Sequence, residues 1–71
     1  MEWIKTSEKL PEVDKAVFIV TKHPKFGWID YDVAKPFNAY GDGRLMFEGA
    51  FAQEYELTEV LAWMPIPEYY D

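Results

Sequence analysis

The 71-residue sequence contains no cysteine, and His23 is its single histidine. Without cysteine there are no disulfides, thiolate metal ligands or thiol nucleophiles, and one histidine offers little to a structural zinc site. Ser7 is the only serine, and it lies where it would cap a short helical turn, which leaves no activated nucleophile. We therefore expect no metal, no cofactor and no enzymatic activity.

Long apolar runs are also absent from the sequence. A run such as residues 16–20 is only five residues long, far below the roughly 20 residues that span a bilayer. The first residues lack the basic and apolar regions of a signal peptide. We expect a protein without membrane contact, located in the cytoplasm.

Size and charge narrow the class of protein further. The length predicts one domain over residues 1–71, and three Trp, five Tyr and five Phe supply apolar area for its thin core. The formal net charge is −6, and all of it arises in residues 42–71, where seven acids are offset by Arg44 alone. Because this acidity repels phosphate, direct nucleic-acid binding is disfavoured.

Apolar and alternating runs predict a mainly β fold. Residues 17–21 are β-branched or aromatic throughout, which is typical of a central strand that is buried on both faces. Residues 28–34 alternate, and we expect Ile29, Tyr31 and Val33 to point inward and the two aspartates between them to point to solvent. The Pro- and Gly-containing connection between the two runs predicts a hairpin.

Two further runs complete a predicted four-stranded antiparallel meander. They cover residues 44–48 and 58–64. We expect residues 35–43 to form a loop, because Pro36 has no N–H to donate to a ladder.

Helix content is predicted to be very low. Residues 6–10 predict one short helical turn, and residues 50–56 are too short for a stable helix and should be irregular or a single turn. A sheet with a bare apolar face needs a cover. We expect the N-terminal segment, with Trp3, Ile4 and Leu10, to pack on that face.

Both ends of the chain carry a motif. The chain opens with Trp3-Ile4 and Leu10-Pro11, and it closes with W-M-P-I-P-E from Trp63 onward. Together these resemble a small phage and prophage family catalogued as domain of unknown function 551, whose members open with W-I and L-P and close with H-W-M-P-L-P-E. Ala62 stands where that family commonly has His. The resemblance implies a compact β fold, a phage or prophage origin, hence the cytoplasm of an infected or lysogenic bacterium, and no established activity.

The motif residues have a structural interpretation. Trp63 ends a strand, and Pro65 and Pro67 stop further pairing. We expect Trp3 and Trp63 to stack and hold the two ends of the chain together. The residues assigned this structural role are Trp3, Ile4, Leu10, Pro11, Trp63, Met64, Pro65 and Pro67.

An acidic stretch interleaved with one aromatic residue is the predicted binding surface. It comprises Glu48, Glu54, Tyr55, Glu56 and Glu59. Such a surface suits a basic partner. We expect a non-catalytic protein that interacts with a host or phage protein, and that binds or inhibits a host protein of defence or nucleic-acid handling.

Two alternatives stay open at this point. The chain could bind or sequester a small molecule, such as a nucleotide, in an aromatic pocket. It could instead be a structural or assembly protein that forms a homodimer by pairing edge strands. The residues of the alternative pocket are Trp28, Tyr31, Phe37 and Tyr40.

Overall fold

The fold is built on one antiparallel β-sheet. A computed structural model describes residues 2–39, 41 and 43–67. Within these residues the strands are β1 (Ile4–Lys5), β2 (Val17–Lys22), β3 (Ile29–Asn38), β4 (Leu45–Gly49), β5 (Glu54–Glu56) and β6 (Val60–Pro65), and a 3-10 turn spans Leu57–Glu59. The predicted class, mainly β with one short helical turn, is confirmed. The described part of the chain has six strands where four were predicted.

The order of strands in the sheet is β1-β6-β2-β3-β4-β5. Strands β2 to β5 form a meander, but β6 crosses back to pair with β2, and β1 adds beyond it. The prediction of a simple meander is therefore wrong for β6, because its pairing with β2 places Trp63 beside Ile19. Strand β2 lies inside the sheet between β3 and β6, as its apolar residues indicate.

One side of the sheet, which we call the core face, carries the buried core. It bears Ile19 of β2, Phe47 of β4 and Trp63 of β6. Burial of aromatic and β-branched side chains here provides most of the apolar area that so small a domain can bury. The buried hydrophobic residues are Val17, Ile19, Ala34, Phe47, Val60 and Trp63.

Residues 6–14 cross the core face, and hydrogen bonds tie them to the sheet at Thr6, Lys9 and Asp14. The indole Nε1–H of Trp63 donates a hydrogen bond of 2.8 Å to the carbonyl oxygen of Lys9. The backbone N–H of Asp14 donates to the carbonyl oxygen of Pro36, also at 2.8 Å. Residues 6–14 therefore cover this face. Of the residues predicted to form the cover, Trp3 lies on the other side of the sheet, Ile4 packs against the core from within β1, and Leu10 is 48% exposed.

The other side of the sheet is the outer face, which carries Val20 and Tyr31 in adjacent strands. Trp3 lies on this face, with its ring centroid 6.2 Å from that of Tyr31. The predicted stacking of Trp3 on Trp63 is wrong. Ile4 pairs with Trp63 in the ladder, and neighbouring residues of an extended chain point to opposite faces.

Strand β3 runs through Pro36, where a loop was predicted. Pro36 lies opposite Phe47, and its side chain is fully buried. The carbonyl oxygen of Pro36 points away from β4 and accepts a hydrogen bond from Asp14. The nitrogen of Pro36 points to the same side of β3 as this carbonyl. On that side β2 starts only at Val17, opposite Ala34. No neighbouring strand therefore requires the N–H that proline lacks.

Strand β5 lies where an irregular segment or helical turn was predicted. The turn before it is closed by a 2.6 Å hydrogen bond from the N–H of Gly49 to the carbonyl of Gln53. Ala52 takes a left-handed conformation with φ 64° within this turn. Tyr55 then pairs opposite Phe47. Three residues are too few to mark a strand by pattern, and β5 depends on the β4 edge for its hydrogen bonds.

Candidate binding cleft

The alternation of β3 has the predicted period but the opposite orientation. Asp32 lies opposite Ile19 of β2, so Asp30 and Asp32 both lie on the core face. The prediction that these aspartates occupy the solvated outer side is wrong. The pairing register of the β2–β3 hairpin determines which face of the sheet the aspartates occupy, and the sequence alone does not specify that register. The apolar residues of the strand that point outward instead are Ile29, Tyr31 and Val33.

A cleft of about 480 Å³ opens on the core face beside these aspartates. The β2–β3 hairpin forms one wall, and β5 with the 3-10 turn forms the other. Asp30, Glu54 and Glu59 line it, together with Trp28 and Tyr55. Acidic and aromatic side chains from separate parts of the chain therefore meet in one concave site.

The Tyr55 hydroxyl is the most perturbed group of the cleft. It donates a hydrogen bond of 2.7 Å to Oδ2 of Asp32, and Oε1 of Gln53 lies 2.6 Å from the same oxygen. One phenolic proton cannot serve both acceptors, and the carboxylate is the stronger. Burial, the hydrogen bond to Asp32 and the negative charges of Asp32, Asp30 and Glu59 raise the pKa of Tyr55 to about 12.

Gly49 provides the space for this hydrogen bond. The glycine is buried under the Tyr55 ring. A Cβ at this position would lie 2.5 Å from Oδ2 of Asp32 and 3.0 Å from Cε2 of Tyr55. The absence of a side chain at residue 49 therefore lets Tyr55 reach across β4 to Asp32.

The β2–β3 hairpin carries a small cluster of stacked rings. The Phe26 and Trp28 rings stack at 4.9 Å with an interplanar angle of 17°, and the His23 imidazole lies 4.8 Å from Trp28. The Nδ1 atom of His23 accepts hydrogen bonds of 3.1 Å from the backbone N–H groups of Lys25 and Phe26. The imidazole therefore orders the turn, while Phe26 and Trp28 stay more than half exposed.

The arrangement suits recognition of a cation. Carboxylates pair with guanidinium and ammonium groups, and an aromatic face attracts either cation. The Nζ atom of Lys25 already lies over the Phe26 ring, 5.7 Å from its centroid. No group of three histidine or acidic residues within the described ranges is placed to hold a metal ion.

The structure divides the predicted acidic surface. Glu54, Tyr55 and Glu59 line the cleft. Glu48 lies directly opposite Glu54 on the β4–β5 edge, and Glu56 lies opposite Met46 there. Sequence reasoning did not include Asp30, Asp32 and Gln53 in this surface. The only signal for the two aspartates was that they interrupt an otherwise apolar strand.

The structure separates the residues of the alternative aromatic pocket. Trp28 lies at the β2–β3 hairpin, and Tyr31 points to the outer face. Phe37 pairs with Met46 at the far end of β3, nine residues from Trp28, or about 30 Å along a strand. Those three side chains therefore do not line one pocket, and Tyr40 lies outside the described residues.

The motif residues lie where the two ends of the chain meet. Ile4 pairs with Trp63, and Pro11 is a buried residue of the segment that crosses the core face. Strand β6 ends at Pro65. Of the remaining motif residues, Met64 is half-buried opposite Phe18, and Leu10 and Pro67 are exposed.

The fold is that of a small antiparallel β protein with a cleft lined by acidic and aromatic residues. The family model described as "Protein of unknown function (DUF551)" matches residues 2–68, and the chain belongs to that family. Searches of curated proteins and of solved structures found no match. No helix among the described residues has the length and apolar character needed to cross a bilayer.

Proposed function

We propose that this protein is a non-catalytic binding protein that recognises a basic segment of a partner protein in the cleft. The observation that carries the proposal is the convergence of Asp30, Glu54 and Glu59 with the exposed ring of Trp28 on one concave site. The chemistry of that lining matches the side chain of arginine. A guanidinium group can pair with a carboxylate in two parallel hydrogen bonds and stack on an indole.

The electrostatics of the cleft favour this partner over a nucleotide. Three acidic residues line the cleft against one lysine, Lys22. Asp32 adds a further negative charge behind Tyr55. A cleft of this sign repels phosphate groups and concentrates cationic ones. The small-molecule alternative is therefore weaker for any ligand that carries phosphate.

The partner that we propose is a basic protein of the host bacterium. Proteins that handle nucleic acids carry basic surfaces because they neutralise phosphates. An acidic phage or prophage protein that occupies such a surface in the cytoplasm would block access to DNA or RNA. The proposal assigns the cleft to the basic side chains of that surface.

Isothermal titration calorimetry with a short arginine-rich peptide tests the proposal. The test variant is Asp30→Asn with Glu59→Gln, which removes two charges from the cleft. The matched control is Glu2→Gln with Glu12→Gln, which removes two charges from exposed residues that do not line it. We expect the cleft variant to lose at least about tenfold in affinity, or about 1.4 kcal/mol, and the control to lose much less.

A second peptide and a further variant distinguish binding in the cleft from attraction by the overall charge of the protein. We expect a glutamate-rich peptide of the same length not to bind, and Trp28→Ala to weaken arginine-peptide binding without changing the net charge. Equal losses in the cleft and control variants would show that only the overall charge attracts the peptide. That result would refute the assignment of the cleft.

A further inference from the structure

The outer face is apolar across three adjacent strands. Between Lys22 at one end and Lys35 at the other, the outward residues of β2, β3 and β6 include no charged side chain. Five large apolar residues on or beside this face are 38% to 67% exposed, namely Trp3, Ile29, Tyr31, Val33 and Leu61. The half-buried residues between them are Phe18, Val20, Ala62 and Met64. In a sheet with one solvated face, the residues that point to solvent are normally polar.

Trp3 makes the outer face uneven. Its ring lies on the sheet next to Tyr31 and separates two grooves. One groove, of about 800 Å³, is lined by Val20 and Leu61 among others. The other, of about 490 Å³, is lined by Phe18 and Met64 among others. A ridge between two grooves is a shape that a two-fold related copy of the same surface can match, ridge into groove.

The apolar area of the outer face is large for a chain of this size. From the fractional exposures, the nine apolar residues present on the order of 600 Å² to solvent, with each large aromatic side chain counted at roughly 150–250 Å². Monomers rarely expose apolar patches above about 300–600 Å². A specific interface of standard size buries about 800 Å² on each partner. The apolar residues of the outer face would supply about three quarters of that area, and the charged residues around them would have to supply the rest.

Charge also suits a second copy. The protein carries a formal net charge of −6, so two copies repel over most of their surfaces. Among the strand residues of the outer face that do not line the cleft, the charges balance, with Lys5 and Lys35 against Glu48 and Glu56. A two-fold axis parallel to the strands would set the β1 edge with Lys5 over the acidic β5 edge of the other copy.

We infer that the outer face is the interface of a homodimer, in which two sheets pack face to face. Pairing of edge strands is the less favourable geometry, because β1 has two residues and β5 has three. Sheets packed in this way lie about 10 Å apart with their apolar side chains interdigitated. The cleft lies on the opposite side of each sheet and stays open in such a dimer.

Sedimentation velocity at protein concentrations from about 1 μM to about 1 mM tests the interface. We expect the mass to rise from 8.4 kDa toward twice that value over this range. Tyr31→Lys should raise the dissociation constant at least about tenfold, because it places a charge in the apolar centre. The matched control is Phe51→Lys, since Phe51 is 86% exposed in the β4–β5 turn. We expect it to dimerise like the wild type.

Further variants keep the result decisive. Circular dichroism would reveal whether Tyr31→Lys perturbs folding. Val33→Thr preserves the shape of the side chain, and it should weaken the dimer in either case. The cleft variant Asp30→Asn with Glu59→Gln should dimerise normally, so the outer face and the cleft are tested separately. A wild-type protein that stays at 8.4 kDa at the highest concentration would overturn the inference. Equal weakening by Phe51→Lys would also overturn it.

Discussion

Trp63 should contribute far more to the stability of the fold than Trp28. Trp63 is 7% exposed, and its indole N–H ties the crossing segment to the sheet through the carbonyl of Lys9. Trp28 is 57% exposed on the hairpin. The substitution Trp→Phe at each position removes the same atoms from two different environments. It therefore isolates the contribution of the buried site.

The magnitude for Trp63→Phe follows from two losses. The hydrogen bond to Lys9 contributes about 1 kcal/mol, and since residue 9 is exposed, its freed carbonyl can turn to water. The smaller ring removes about 50 Å² of buried apolar surface, worth about 1.2 kcal/mol, before any residual cavity is counted. We expect a total loss of about 2–3 kcal/mol, and about 0.5 kcal/mol or less for Trp28→Phe.

Thermal unfolding followed by circular dichroism at a fixed, low protein concentration measures both losses. For a domain of this size, 1 kcal/mol corresponds to a fall in Tm of about 4–8 °C. Hydrogen exchange gives a local readout, because the Asp14 amide that donates to Pro36 should exchange faster once the crossing segment loses its tie. Equal changes in Tm for the two variants, or an unchanged Asp14 amide in Trp63→Phe, would refute the reasoning.

Two further predictions concern the cleft. With its pKa raised to about 12, Tyr55 should be only about one-tenth ionised at pH 11, whereas ordinary tyrosines are about nine-tenths ionised there. The contribution of Tyr55 to stability is therefore intact below pH 10 and is lost as the pH rises from 10 through 12. Tyrosinate absorbance measures this, Asp32→Asn should lower the pKa toward 10, and a single titration of all tyrosines near pH 10 would contradict it. Gly49→Ala should cost about 1–3 kcal/mol in urea unfolding, because the new methyl group meets Asp32 and Tyr55. The cost should shrink in an Asp32→Ala background, and an equal cost in both backgrounds would contradict the proposed contact.

The central strand and its hairpin could be predicted because their signals are local. Strand β2 is apolar on both faces, and the turn after it contains Pro24 and Gly27. The orientation of β3 could not be predicted in this way, since an alternating strand has two faces and its partner's register selects between them. That register places Asp32 beside Ile19, and it moves Tyr31 to the outer face.

Other parts of the fold depend on residues distant in the sequence. Pro36 can stay in a strand only because β2 begins late and the Asp14 amide uses its carbonyl. The cleft combines Glu54, Tyr55 and Glu59, which the acidic pattern identified, with Asp30 from the hairpin. No local pattern indicates that meeting, because it depends on the pairing of β4 with β3 on one side and with β5 on the other.

The position of β6 has a consequence for synthesis of the protein on the ribosome. Strand β6 is translated after the other five strands, yet it lies between β1 and β2 in the sheet. Until residues 60–65 emerge, β1 has no partner and β2 exposes an unpaired edge next to its apolar side chains. The sheet is therefore complete only after β6 has inserted between β1 and β2, and this non-local pairing is the step of folding that closes the exposed edge of β2.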